Sequence, residues 1–470
     1  MPMRTESLNK SRELEAESSN HVRTARGAAV TDRLATLYPD HLATLMARAD
    51  RVLARAGYDA LVIAAGIETF QFLDDRPYPF HPNPHFKAWL PLTRHPNCWL
   101  AYRPGQKPVL IYHQPADYWH LPPADPSGYW VSHFELRVIR EAQDAPGALP
   151  PGLGRSAIIG DASAAVGTLV PNNPEPVVTS LHLWRTRKTA YELECMRRAS
   201  LIGARAHRAA AAAYRERQSE YEIHLAYCRA AGQGENELPY GNIVALNEHG
   251  ATLHYQHQEH ARPAQHRSLL IDAGAQCNGY AADITRTYGD GDSLFTQLLE
   301  GVVREQIAMC ARVRPGLSWP RFHLDAHLAM GQVLKDTGVV DMTPESQLER
   351  GVSSVFLPHG IGHFLGLQVH DVAGFLKDES GATLPRPEGH PYLRCTRTLE
   401  TGNVVTVEPG IYFIDMLLAK LRSGPDARAV DWSKVEHLSR YGGVRIEDNV
   451  VVTEDAPENL TRDAFRALAA

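Results

Sequence analysis

Ser268–Tyr288 reads SLLIDAGAQCNGYAADITRTY. Its centre, Asn278-Gly279, is a strong hairpin signal, because both central residues of a type I′ turn take positive φ. A turn there pairs Cys277 with Tyr280. Counting outward, Asp272 faces Thr285, and Asp283 becomes its diagonal neighbour on the same face. Diagonal neighbours in a sheet lie about 7–8 Å apart, within joint reach of a bound cation. Asp272 also ends the apolar run Leu269–Ile271. A bare carboxylate in such a strand is costly unless it is paired or metal-bound. For these two residues alone, a strand-end pair facing water or bonded to Arg286 competes with a metal site.

Three more stretches carry charge where a core is expected. Pro358–Asp371, PHGIGHFLGLQVHD, holds three histidines. His359 and His363 have the i, i+4 spacing of a helical zinc site. However, Gly360 and Gly362 lie between them and no Glu follows the first histidine, so a glycine-rich loop leading into a strand fits better. Asn403–Phe413, NVVTVEPGIYF, sets Glu408 at the end of an apolar run before a Pro-Gly turn. Gly443–Thr453, GVRIEDNVVVT, alternates so that Arg445, Glu447 and Asn449 share one face. A charged face on a run ending in three valines points to a polar cavity inside the fold, against the alternative of a solvent-facing edge strand.

Four carboxylates and one imidazole on strands make an oxygen-rich ligand set whose charge two divalent cations would cancel. That chemistry favours Mn²⁺, with Co²⁺ or Zn²⁺ as alternatives, over a structural zinc site, which would want thiolates. Two such ions hold a hydroxide at neutral pH and polarise a carbonyl, so hydrolysis is the expected reaction.

Around these motifs, 470 residues suggest two domains. Residues 1–31 are polar and read as an N-terminal extension. They lack the apolar middle of a secretory signal, and Glu6, Glu13, Glu15 and Glu17 argue against a transit peptide. A smaller α/β domain is expected over 32–185, with a helix at His41–Gly57. Its strands are expected at Asp59–Ala65, Cys98–Arg103, Pro108–His113 and Arg155–Gly160. The boundary falls near residue 185, in a segment carrying several cations, and Thr189 can cap a long helix over 191–215. Residues 186–470 hold the chemistry, with a second long helix at 295–313. Six scattered cysteines without a CxxC pair suit reduced thiols and a cytoplasmic location. A net charge of −6 gives no reason to expect nucleic acid or an anionic membrane as partner.

The motifs IDAG…YAADITRTY, HGIGHFLGLQVHD, TVEPGIYF and GGVRIEDNV, in this order, resemble those of the pita-bread metallopeptidases. These include methionine aminopeptidase, aminopeptidase P and prolidase. Within them the likeness is to bacterial prolidase, the Xaa-Pro dipeptidase, with its organophosphorus acid anhydrolase-like forms. It runs from about Leu37 to the C-terminus and takes in FLDDRPYPF (72–80), NPHFKAW (83–89), YGNIVALNEHG (240–250) and PYLRCTR (391–397). The implied fold is α+β: a pita-bread (creatinase/methionine aminopeptidase-like) catalytic domain with a smaller, creatinase-like α/β domain before it.

The resemblance also implies roles. Asp272 chelates one metal, Asp283 and Glu447 bridge both, and His363 and Glu408 complete the other. The family pattern places a second functional histidine seven residues after the ligand, which selects His363 with His370 rather than His359. Glu408 is the implied proton acceptor. His370 stabilises the tetrahedral intermediate or serves the leaving nitrogen, and His254 faces the substrate. His359 and Arg445 hold the dipeptide's C-terminal carboxylate, and Tyr240 and Leu253 line the pocket. Asp75 of a partner subunit approaches the amino group, which implies a homodimer. Trp319, where relatives often carry Tyr, is expected on the pocket wall. The implied substrates are Xaa-Pro dipeptides, with side hydrolysis of organophosphorus triesters. The alternatives are an aminopeptidase P acting on longer peptides, or a non-catalytic peptide-binding relative, which usually loses ligands.

Overall fold

Apolar runs bounded by Pro and Gly become the strands of the first sheet. The computed structural model describes residues 33–469, so the expected 1–31 extension lies outside the described residues. Helix α1 (33–56) is followed by β1 (Ala60–Ala64), α2 (Pro84–Trp89), β2 (Trp99–Tyr102) and β3 (Val109–His113). Then come β4 (Glu135–Ile139), β5 (Ser156–Ile159) and α3 (Glu175–Arg185). The sheet order is β4-β3-β2-β1-β5, with antiparallel pairs at the centre and parallel pairs at both edges. Leu61 and Ile63 pack under the helices with Leu42, Val52, Phe86 and Val177, whereas Val62 and Ala64 meet Trp99 and Ala101 on the other face. A strand covered on both faces needs no polar alternation, which explains the unbroken run DALVIAA. Helix α1 starts before His41 because Leu34 and Tyr38 extend its buried stripe. Strand β4 was not expected: it is a half-exposed edge strand with a weak pattern.

Thr189 caps α4 (Ala190–Arg215). Its Oγ1 accepts the Glu192 N–H at 3.4 Å, and the Glu192 carboxylate accepts the Thr189 N–H at 2.8 Å, a reciprocal capping box. Helix α5 (Glu220–Ala231) packs back on α4, and β6 (Ile243–Leu246) and β7 (Ser268–Asp272) follow. Next are the short hairpin strands β8 (Gln276–Cys277) and β9 (Tyr280–Ala281), then β10 (Thr285–Gly289). Asn278 and Gly279 have φ of 53° and 85°, Cys277 pairs with Tyr280, and Asp272 pairs with Thr285, as the turn requires.

The second half-unit comprises α6 (Ser293–Cys310), α7 (Trp319–Asp336), α8 (Pro344–Glu349) and α9 (Val352–Phe356). It continues with β11 (Val404–Val407), β12 (Gly410–Tyr412), α10 (Asp415–Arg422), α11 (Trp432–Leu438), β13 (Gly443–Arg445), β14 (Asp448–Val451), β15 (Glu458–Asn459) and α12 (Leu460–Ala467). Two antiparallel three-stranded sheets result, β10-β7-β6 and β11-β14-β15, with the ribbon β12-β13 beside them. Helices α4 and α5 cover the first sheet through Ala206, Ala210 and Tyr227 on Val244, Leu269 and Ile271. Helices α6 and α7 cover the second through Phe295, Leu298, Phe322 and Val333 on Val405, Val407 and Val450. Single bridges, Thr285 to Glu447 and Phe364 to Val405, join the elements around the sheet junction. That junction is where the acidic residues gather.

Candidate metal centre

Four of the five residues sit where a strand breaks. Asp272 ends β7, and Asp283 lies between β9 and β10. Glu408 lies between β11 and β12, and Glu447 lies between β13 and β14. His363 runs beside β11: Thr406 donates its backbone N–H to the His363 carbonyl at 3.0 Å, and the His363 N–H reaches Thr406 Oγ1 at 3.1 Å. A chain that leaves its ladder can turn a carboxylate inward, and the other sheet then supplies the missing partner. Thr285 donates its Oγ1–H to Glu447 Oε2 at 2.7 Å, and the Asp283 N–H reaches Asn449 Oδ1 at 3.3 Å.

The side chains converge. Tyr240 Oη contacts Asp272 Oδ1 at 2.7 Å and Asp283 Oδ1 at 2.6 Å. His363 Nε2 lies 3.5 Å from Asp283 Oδ2 and 3.6 Å from Glu408 Oε1. Asp283, His363 and Glu447 each place one donor atom within 4.8 Å of the others. Arg286 pairs with Asp448 at 2.7 Å, so the two hairpin aspartates are not its partners.

Electrostatics follow from this crowding. Burial pushes the Glu408 carboxyl up to about 7, against the pull of His363 and Arg445. Burial also raises Glu447, and Asp283 and Glu408 raise it further. For Asp283, burial acts upward, but the hydrogen bond and charge of His363 leave it lowered. Carboxylates this dense call for cations. His363 is oriented for one: its Nδ1 donates to the Phe364 carbonyl at 3.0 Å, which leaves Nε2 facing the carboxylates as the atom that would bind a cation in place of its proton. The donor set, one imidazole with four carboxylates, fits divalent metal ions.

A cavity of about 1720 Å³ opens over this cluster. Tyr240, His254, Asp272, Asp283 and His370 line it, and so do N-terminal residues such as Phe80 and His85. The His370 ring stands edge-on to His363 at 4.4 Å between centroids. Desolvation and the His363 charge hold its pKa at about 3, so it is neutral at pH 7.

The remaining expected residues are placed as follows. His359 Nε2 meets Tyr412 Oη at 2.8 Å. Arg445 donates to Tyr412 Oη at 2.8 Å and to Asp272 Oδ2 at 2.7 Å. Leu253 is half-buried against the Tyr255 and Tyr412 cluster. Asp75 is exposed and lies outside the lining of this chain's own cavity. Trp319 corrects an expectation. It is fully buried at the start of α7, donates its Nε1–H to the Gly362 carbonyl at 3.2 Å, and supports the His363 loop from behind. The inward face of a helix start, packed on Phe322, leaves it no access to the cavity.

Sequence reading missed three supports. Tyr412, in TVEPGIYF, is a shared partner of His359 and Arg445. Thr285 sits inside the hairpin motif but carries no charge to draw notice. Asp371, next to His370, pairs with Arg185 and with Lys188 Nζ at 3.1 Å, all three side chains buried. The signal was present as the cations near the domain boundary.

Fold and site together define a metallohydrolase built on two sheets. Residues 194–454 match the model of metallopeptidase family M24, and residues 36–183 match that of the Xaa-Pro dipeptidase N-terminal domain. The chain belongs to metallopeptidase family M24. It is 53% identical over 432 residues to an Xaa-Pro dipeptidase of Stenotrophomonas maltophilia (strain K279a), covering 92% of this chain and 98% of that protein. An Xaa-Pro dipeptidase of Xanthomonas campestris pv. campestris (strain B100) is 53% identical over 435 residues, covering 92% and 99%. Among solved structures, aminopeptidase P from Escherichia coli with the inhibitor Pro-Leu superposes with a TM-score of 0.67 at 22% identity, covering 92% of this chain and 95% of that one. An aminopeptidase from Pseudomonas aeruginosa gives a TM-score of 0.67 at 23% identity, covering 93% and 98%. These two share the fold. Among the described residues, no helix is long and apolar enough to cross a membrane.

Proposed function

We propose that this chain is an Xaa-Pro dipeptidase, which hydrolyses the imidopeptide bond of dipeptides ending in proline. The observation that carries the reading is the convergence of Asp272, Asp283, His363, Glu408 and Glu447 beneath a cavity that both halves of the chain line. Relatives 53% identical along most of the chain bear the name Xaa-Pro dipeptidase.

In this reading Asp272, Asp283, His363, Glu408 and Glu447 would hold two divalent cations, Asp272 serving one, His363 and Glu408 the other, and Asp283 and Glu447 both. Manganese suits the oxygen-rich set, with cobalt or zinc as substitutes. When bound, the cations supply a water reactive at neutral pH and polarise the scissile carbonyl. Glu408 takes the proton of the attacking water. His370, neutral, donates a hydrogen bond to the tetrahedral oxygen or to the leaving proline nitrogen. His254, on the cavity wall, meets the substrate.

Arg445 and His359, linked through Tyr412, receive the proline carboxylate. With Asp272 committed to a cation, the guanidinium is free for a second carboxylate, which its planar fork fits. Tyr240 and Leu253 belong to the pocket. Asp75 enters from a second copy, so a homodimer completes the site. Residues 32–185 form the N-terminal domain and 186–470 the catalytic one, in a cytoplasmic enzyme. Hydrolysis of organophosphorus triesters follows from the same chemistry as a side activity, and metal-dependent release of fluoride from a fluorophosphate probe tests it.

Gly-Pro and a tripeptide with proline second, compared at equal concentration with Mn²⁺, test the main reading. Faster cleavage of the dipeptide is expected. Faster cleavage of the tripeptide would make the chain an aminopeptidase P.

A further inference from the structure

A second cluster of side chains of metal-ligating type lies outside the five residues. His323 and His327 project from one face of α7 at i, i+4 spacing, and His390 comes from the Pro-rich segment that precedes β11. One nitrogen of each lies within 4.8 Å of one nitrogen of each other. The ring centroids are 4.6 to 4.7 Å apart. His323 and His327 are each only 1% exposed, and His390 is half-buried.

The hydrogen bonding of the trio is incomplete. His323 Nε2 meets His390 Nδ1 at 3.0 Å, and His327 Nδ1 meets Ser353 Oγ at 3.1 Å. His323 Nδ1 and His327 Nε2 are buried without a hydrogen-bond partner. A buried imidazole nitrogen without a partner carries a desolvation cost. Three stacked aromatic residues would fill such a space without it. Burial and the neighbouring imidazoles hold His323 at about 2 and His327 at about 3, and burial lowers His390 as well. All three are therefore neutral at pH 7 and offer lone pairs.

We propose that His323, His327 and His390 bind one divalent cation of the zinc type, at a site separate from the carboxylate-rich centre. The donor chemistry separates the two sites. Three imidazoles select zinc and its late first-row neighbours, whereas an oxygen-rich set suits manganese. Ligand nitrogens about 2.0–2.1 Å from a tetrahedral zinc stand roughly 3.4 Å apart, close to the His323–His390 separation. Ser353 holds the Nδ1 of His327 and leaves Nε2 as its ligand atom, an arrangement common in metal-binding histidines. Solvent on the half-exposed His390 side supplies the fourth ligand. The ion pins the Pro-rich segment carrying His390 to α7, whose Trp319 supports the His363 loop.

The test uses the full chain with Asp283→Asn and Glu447→Gln, which disables the carboxylate centre. The protein is incubated with excess ZnCl₂, passed through a desalting column, and its zinc measured by plasma mass spectrometry. About one zinc per chain is expected to remain. Adding His390→Gln, a change on a half-exposed loop, is expected to weaken zinc retention at least tenfold, and circular dichroism verifies the fold. Absorption at the zinc edge should show imidazole scattering from three histidines. A folded Asp283→Asn, Glu447→Gln chain that keeps no zinc would overturn the proposal. So would retention unaffected by His390→Gln, or an edge spectrum without imidazole.

Discussion

His363 and Glu408 are held by the same short stretch of β11. Thr406 hydrogen-bonds the His363 backbone in both directions, and Glu408 follows two residues later. The Glu408 pKa near 7 carries a sign that can be checked. Below pH 7 its carboxyl is protonated, so a cation must displace that proton, and affinity falls about tenfold per pH unit for each proton displaced. Above pH 7 this penalty disappears. Calorimetric titration of the stripped chain with Mn²⁺ at pH 8 and pH 6 should show at least about tenfold weaker binding at pH 6; equal affinities would contradict this. His370 is not one of the five residues, and its expected role is chemical. His370→Ala should therefore lower kcat by about 10²–10⁴-fold while metal content stays unchanged. The five positions that converge were legible because charge inside apolar runs is hard to explain otherwise. Tyr412 and Thr285 were not, since a hydroxyl in a strand looks the same whether or not it orients a neighbour.

At the scale of elements, the loop before β11 decides the geometry. Gly362 has φ of +151°, and a Cβ there would stand 2.1 Å from the Thr406 carbonyl oxygen. Gly362→Ala should push His363 away from β11, and plasma mass spectrometry should find less metal per chain. The other end of the loop is tied by Asp371 to Arg185 and Lys188. Burial acts upward on Asp371, but those two cations leave its pKa lowered, so the stabilisation it contributes is present above the unfolded carboxylate range and is lost as pH falls through the folded value. Asp371→Asn leaves two buried cations short of a partner, and urea unfolding should show a loss of about 3–5 kcal/mol. The hairpin at Asn278-Gly279 was legible to the register, because a two-residue turn fixes it. The helix α7 was not assigned: Pro320 and the scattered histidines of WPRFHLDAHLAM obscured its period. Pro320 in fact occupies the first turn, where a helix tolerates it.

On the scale of the whole molecule, the two sheets of the C-terminal half meet around a cluster of like charges. Packing alone does not favour that meeting, since burial raises Asp272, Glu408 and Glu447. Cation binding is therefore coupled to stability. At a free concentration 1,000 times the dissociation constant, one bound ion adds about 4 kcal/mol. Thermal melts with and without Mn²⁺ should show the melting temperature rising with metal concentration. The α+β class was legible from pattern and motif; that Phe80 and His85, inside FLDDRPYPF and NPHFKAW, line the cavity was not, because those motifs carry a likeness without saying which way their side chains face. Whether the five residues act as one dinuclear centre is tested directly by titrating the stripped enzyme with Mn²⁺ and following Gly-Pro hydrolysis. Activity should rise from background to a plateau at about two ions per chain, and the Asp283→Asn chain should stay at background throughout. Full activity in excess chelator, or undiminished activity of Asp283→Asn, would contradict the account.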